Sequence, residues 1–184
     1  MSSRRLVLAG NARCAPRRPR AAGFTLIELM VTLAVIAILA VVAVPATQTL
    51  VNGNRLAGTT GELTSALHLA RSEAVRRSAR VTMCRSTDGT TCAAGGNWER
   101  WIVVGRDNAT GTNEVIRDET VAGPMQVSGP AAGIVFRPSG LIAGEERLTA
   151  CVPTTNPEDN QRVITVMVSG TTRADRANGG GACP

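Results

Sequence analysis

The sequence predicts an α+β protein: a long amino-terminal helix able to span a membrane, followed by a small antiparallel, sandwich-like β domain. Three observations carry that prediction. Residues 24–44 are apolar almost without a break; Leu63, Leu67, Ala70 and Ala74 then recur at helical spacing; and beyond Arg80 the period changes to short apolar runs bounded by turn residues.

Residues 24–44 form the first element. At about 1.5 Å per residue a helix of this length reaches about 31 Å, matching a bilayer hydrocarbon core of about 30 Å. A secretory signal peptide cut after Ala46 is the competing reading, but its apolar region runs to only about 7–15 residues. Residues 29–44 alone supply 16. Glu28 is the one acid in the stretch. A carboxylate in hydrocarbon costs about 2.5–3.5 kcal/mol even on the lenient insertion scale, so it marks a functional position whose partner must be named. Its place in the first turns, at the positive end of the helix dipole and near the headgroups, lowers that cost.

Residues 45–80 read as a helical extension. Between 46 and 61 lie Asn52, Gly53, Asn54, Gly58 and Gly61, each about 0.7–1 kcal/mol poorer than alanine in a helix, which predicts an interruption there. From Glu62 the amphipathic pattern sharpens, with Glu73 and Arg77 at the favourable i,i+4 spacing.

Residues 81–184 read as the β domain. Strands are expected at 81–84, 101–104, 114–116, 134–136, 148–152 and 163–168, separated by Asp88-Gly89, Gly123-Pro124, Gly129-Pro130 and similar turns. About 100 residues make only a modest core. The tail from 174 to 184, with three glycines at 179–181, reads as loose.

The motif at the head of the helix is specific. Gly23 followed by Phe24-Thr25-Leu26-Ile27-Glu28-Leu29 resembles the processing site of type IV prepilins and type II secretion pseudopilins. That resemblance implies a leader at 1–23 and cleavage by a prepilin peptidase between Gly23 and Phe24. It also implies methylation of the Phe24 amine, and Glu28 guiding assembly by pairing with the amino terminus of a neighbouring pilin or pseudopilin on an inner-membrane assembly platform. Pro45 sits where this family carries a helix-kinking proline. Residues 67–77, 81–86 and 98–101 are similar to the GspH/FimT minor pilins, which implies a non-catalytic filament subunit with its carboxy-terminal domain in the periplasm.

Charge agrees with that topology. Six of the 20 basic residues, all arginine, lie in 1–23 with no acid among them, and removing them leaves 14 arginines against 14 acids. The leader's positive cluster holds the amino end in the cytoplasm, and the balanced remainder gives no global case for polyanion binding. Cys14 leaves with the leader. Cys84, Cys92, Cys151 and Cys183 remain, an even set that allows three connectivities. Sequence-local pairing, Cys84 with Cys92 and Cys151 with Cys183, is favoured; in the loop-closure treatment it removes roughly 2.6 and 3.7 kcal/mol of unfolded-chain entropy. Zinc is disfavoured, because the cysteine spacings are wide and the single histidine, His68, lies in the helical stretch.

Catalysis finds little footing, with no tyrosine, Walker loop or nucleophile elbow. No cofactor or metal is called for. Glu145-Glu146 reads as a solvated turn, and the 107–114 loop, though rich in oxygen ligands, lacks the EF-hand spacing. DNA is the rival partner: some FimT-type pilins bind it through a carboxy-terminal Gly-Arg-x-Arg. The corresponding stretch here is Gly170-Thr171-Thr172-Arg173, with Arg176 beyond. The first arginine is missing, and Arg173 and Arg176 remain as the candidate phosphate contacts, with Arg71, Arg76, Arg77 and Arg80 on the helix read as a solvated face.

Overall fold

The computed structural model describes residues 23–184, excepting the side chains at 42 and 44–46. The expected leader, Gly23 aside, therefore lies outside the described residues. The chain divides into two compact units, Met1–Ala40 and Val41–Pro184.

Helix α1 spans Leu26–Arg77. Thr25 starts it, its hydroxyl accepting from the Glu28 N–H at 3.2 Å as an N-cap does. Within the first unit the large apolar side chains are exposed, from Leu26 through Leu39. Within the second unit, the interruption expected at 46–61 does not occur: the helix runs through the glycines. Packing overrides propensity, because Leu56 and Leu63 are fully buried, and each buried leucine contributes about 1.5–3 kcal/mol against about 1 kcal/mol for a glycine. Asn52 adds a tether, donating from Nδ2 to the Asn156 carbonyl at 2.9 Å.

Eight strands follow: β1 (Val81–Arg85), β2 (Arg100–Arg106), β3 (Asn113–Thr120), β4 (Gln126–Ser128), β5 (Ile134–Phe136), β6 (Glu146–Cys151), β7 (Gln161–Val166) and β8 (Thr172–Ala177). They form two four-stranded antiparallel sheets, ordered β3-β2-β1-β5 and β4-β6-β7-β8. The six expected strands are all present, β5 with the expected bounds and the others with shifted ends. Residues 167–168, expected in β7, instead open the turn in which Met167 N–H donates to Thr171 O at 2.9 Å. A register shift between Val103 and Val104 bends β2 against β3.

Two strands escaped the sequence pattern. β4 holds a single apolar residue between glycine-proline turns, and β8 reads Thr-Arg-Ala-Asp-Arg-Ala. Both end the order of their sheet, so backbone pairing with β6 or β7 defines them rather than an apolar face. The tail expected to be loose from 174 onward thus begins as strand, and Cys183 bonds Cys151 at its end.

One core serves the domain. Leu63, Leu67, Ala70 and Ala74 of α1 join Val81, Met83, Trp101 and Phe136 of one sheet and Leu148, Ile164 and Val166 of the other. The alanines keep the helix face flat against the strands. The second disulfide joins Cys84 to Cys92, closing a turn built on Asp88. Backbone N–H groups of Thr91 and Thr90, with the Thr91 hydroxyl, donate to the Asp88 carboxylate and hold its pKa well below the usual carboxylate range.

Candidate functional site

Two regions carried the functional residues in the sequence: the head of α1 and the carboxy-terminal arginines. At the head, Phe24 is 83% exposed, and Glu28 is exposed one turn further on. Thr25 fixes where the helix begins, since its hydroxyl caps the Glu28 N–H and its carbonyl accepts from Leu29 N–H at 3.2 Å. The Thr-x-x-Glu spacing therefore places the acid in the first turn, three residues after the cap, where the helix dipole favours a negative charge. The result is an apolar helical surface bearing one carboxylate at its amino end. Among the described residues no helix is long and apolar enough to cross a membrane; positions 42 and 44 of the expected span have side chains outside the described set.

At the other end, Arg173 and Arg176 stand three apart on β8, and strand periodicity turns them to opposite faces. Arg173 shares its face with Asp175, and the two form an ion pair at 2.8 Å. Arg176 lies directly across from Arg162 of β7. Burial, and then the Arg176 charge, lower the Arg162 pKa. The structure thus does not bring the two candidate phosphate contacts together. It pairs Arg176 with Arg162, which the sequence reading missed; only the β7–β8 register reveals that neighbour.

Of the arginines expected on the helix face, Arg71, Arg76 and Arg77 are engaged, and Arg80 lies past the end of α1. Glu73 receives Arg76 at 2.6 Å and Arg77 at 2.7 Å, and Arg77 also reaches Glu114 of β3 at 2.5 Å. Hydrogen bonds from Arg76 and then Arg77 lower the Glu73 pKa to about 2. Arg71 donates from Nε to Gly140 O at 3.2 Å. Trp98 and Trp101 are buried and have no face free for a base. His68 is exposed, 3.3 Å from the Thr172 hydroxyl. In the 107–114 loop the Asp107 oxygens accept from Ala109 N–H and the Thr110 hydroxyl, so they hold their own turn. Glu145 pairs with Arg147 at 2.9 Å. Among the described residues no cluster of three or more histidine, cysteine or acidic groups is placed to hold a metal.

The family model for the type II transport protein GspH matches residues 59–172, and that for the prokaryotic N-terminal methylation motif matches residues 18–44. The chain belongs to the GspH family. Solved structures with the same fold include the type IV minor pilin FimU of Pseudomonas aeruginosa, 21% identical, with a TM-score of 0.51 over 66% of this chain and 89% of that one. The minor pseudopilin EpsH of the Vibrio cholerae type 2 secretion system is 15% identical, with a TM-score of 0.50 over 66% of this chain and 97% of that one. No curated protein matches the sequence. In this GspH-family chain Arg173 and Arg176 lie beyond the matched segment, whereas Gly23, Phe24 and Glu28 lie inside the methylation motif.

Proposed function

We propose that this chain is a non-catalytic minor pilin or pseudopilin subunit that enters a type IV pilus or a type II secretion pseudopilus. The observation that carries the reading is the exposed apolar helix with its single early acid, directly after the Gly23-Phe24 junction and inside the methylation motif. A prepilin peptidase removes the leader. Residues 24–44 anchor the protein in the inner membrane by a single pass, with the β domain in the periplasm. During assembly on the inner-membrane platform, the apolar helix moves from lipid into the filament, where it packs on the helices of other pilins. Glu28 then rewards correct register, because a carboxylate in a low-dielectric core is penalised alone and tolerated when it meets a cationic amino terminus. The β domain presents the subunit-specific surface.

The Glu28→Ala variant tests this directly. It should insert and be processed as well as the parent, since a costly charge is removed, yet be depleted from sheared filament fractions. Normal incorporation of the variant refutes the docking role. Deleting the gene and assaying exoprotein secretion, twitching and DNA uptake assigns the machine by which activity is lost.

DNA capture is the second reading, and the Arg162–Arg176 neighbours are its support. Two arginines facing each other across β7 and the edge strand β8 suit a phosphodiester. It ranks lower because Arg173 is neutralised by Asp175 and Thr171 stands where the resembling motif has arginine.

A further inference from the structure

The buried polar groups of the β domain single out one side chain. Among the described residues, Ser86 and Asn160 are the buried polar ones. Ser86 is spent within its own turn, on Asp88 and the Thr91 carbonyl. Asn160, which is fully buried, reaches out of its loop to the end of the chain. Its Nδ2 donates to Val152 O at 3.0 Å and to Ala182 O at 3.2 Å, and its Oδ1 accepts from Gly179 N–H at 2.8 Å. Its main-chain carbonyl accepts from Val152 N–H at 3.0 Å. The neighbouring Gln161 sends a second donor to Ala182 O at 2.9 Å.

One amide therefore joins the end of β6 to the tail on both sides of the turn at 179–182. The next residue on the β6 side is Cys151, and the next on the tail side is Cys183. A primary amide is tolerated in a core when both its ends are bonded, and here the bonds run to the segments that carry the two sulfurs.

We propose that Asn160 is a non-covalent latch: it seats the carboxy-terminal tail before oxidation and so selects Cys183 as the partner of Cys151. These cysteines are 32 residues apart, whereas Cys84 and Cys92 are separated by eight and meet within one local turn. The distant pair depends on tail docking; the local pair does not. With glutathione disulfide as oxidant, one cysteine thiolate attacks it to give a mixed disulfide and one glutathione thiol. The second cysteine displaces the other glutathione. Two protein thiols thus lose two electrons to one glutathione disulfide, and their protons end on two glutathione thiols. The latch acts on the second displacement by raising the local concentration of the attacking sulfur.

The experiment uses the detergent-solubilised full chain carrying Cys14→Ser, equilibrated in glutathione redox buffers, with each pair quantified by alkylation and peptide mass. Asn160→Ala is expected to lower the effective concentration of the Cys151–Cys183 pair about 10- to 100-fold, and Gln161→Met about threefold, from the usual worth of buried and exposed hydrogen bonds. Both variants should leave Cys84–Cys92 within about twofold of the parent. An unchanged Cys151–Cys183 value in Asn160→Ala overturns the latch, as does a loss shared equally by both pairs. If Asn160→Ala does not fold, Gln161→Met decides alone, and an unchanged value there overturns the proposal.

Discussion

Replacing Glu73 by glutamine tests how α1 is fastened to the β domain. The carboxylate holds Arg76 and Arg77, and Arg77 carries the connection on to Glu114 of β3. A pKa moved from 4.5 to about 2 corresponds to roughly 3 kcal/mol if water did not screen the charges, at about 1.4 kcal/mol per pKa unit. Screening is substantial. Arg76, the larger cause of the shift, is 66% exposed, and an open cleft lined by Arg76, Arg77 and Arg106 borders the network. Exposed pairs yield about 0–1 kcal/mol, so the Arg77 contact, with 17% and 14% of its side chains exposed, supplies most of an expected loss of about 1–2 kcal/mol at pH 7. The folded carboxyl binds its proton at lower pH than the unfolded one. Its contribution is therefore complete well above pH 4.5, declines as the pH falls from 4.5 towards 2, and is lost below. Urea unfolding of parent and Glu73→Gln, followed by the fluorescence of buried Trp98 and Trp101, measures the difference at pH 7 and pH 2.5. A gap of the expected size at pH 7 should shrink to a small fraction at pH 2.5. A gap unchanged at pH 2.5, or none at pH 7, refutes the reasoning.

Intact mass and terminal sequencing should find a mature chain starting at Phe24 with a methylated amine; a start at Thr47 would favour ordinary signal-peptide cleavage. Gly58→Ala should raise stability by about 0.5–1 kcal/mol, because the helix leaves open space for the added carbon. Gly133→Ala should lower stability by about 1–3 kcal/mol, since that residue has φ +74° and the carbon would sit 2.6 Å from the Met83 carbonyl; thermal denaturation reads both, and equal effects would contradict the packing. In a salt titration on duplex DNA, binding should be weak and fall steeply with salt, with Arg162→Ala and Arg176→Ala weakening it more than Arg173→Ala. Submicromolar binding at physiological salt that collapses in the Arg162→Ala/Arg176→Ala pair would make DNA capture the leading function.

Local signals determined much of this protein from the sequence alone. Periodicity located α1 and six strands, and the run Gly23-Phe24-Thr25-Leu26-Ile27-Glu28 marked the methylation motif, because a motif contiguous in sequence needs no folding to be read. The even count and the spacing favoured the cysteine pairing that the structure contains. Tertiary structure alone decided the rest. The helix passes its glycines because Leu56 and Leu63 are buried in a core shared with residues far along the chain, a gain that propensity summed over neighbours does not contain. β8 is a strand because β7 pairs with it, although its own residues are polar. That same register separates Arg173 from Arg176 and sets Arg176 beside Arg162, while Asn160 finds its partners about twenty residues away in the tail. Each of these depends on which backbone segments lie side by side. Pairing is a property of the whole core, since shifting a strand by one residue would turn every buried side chain of that strand to solvent.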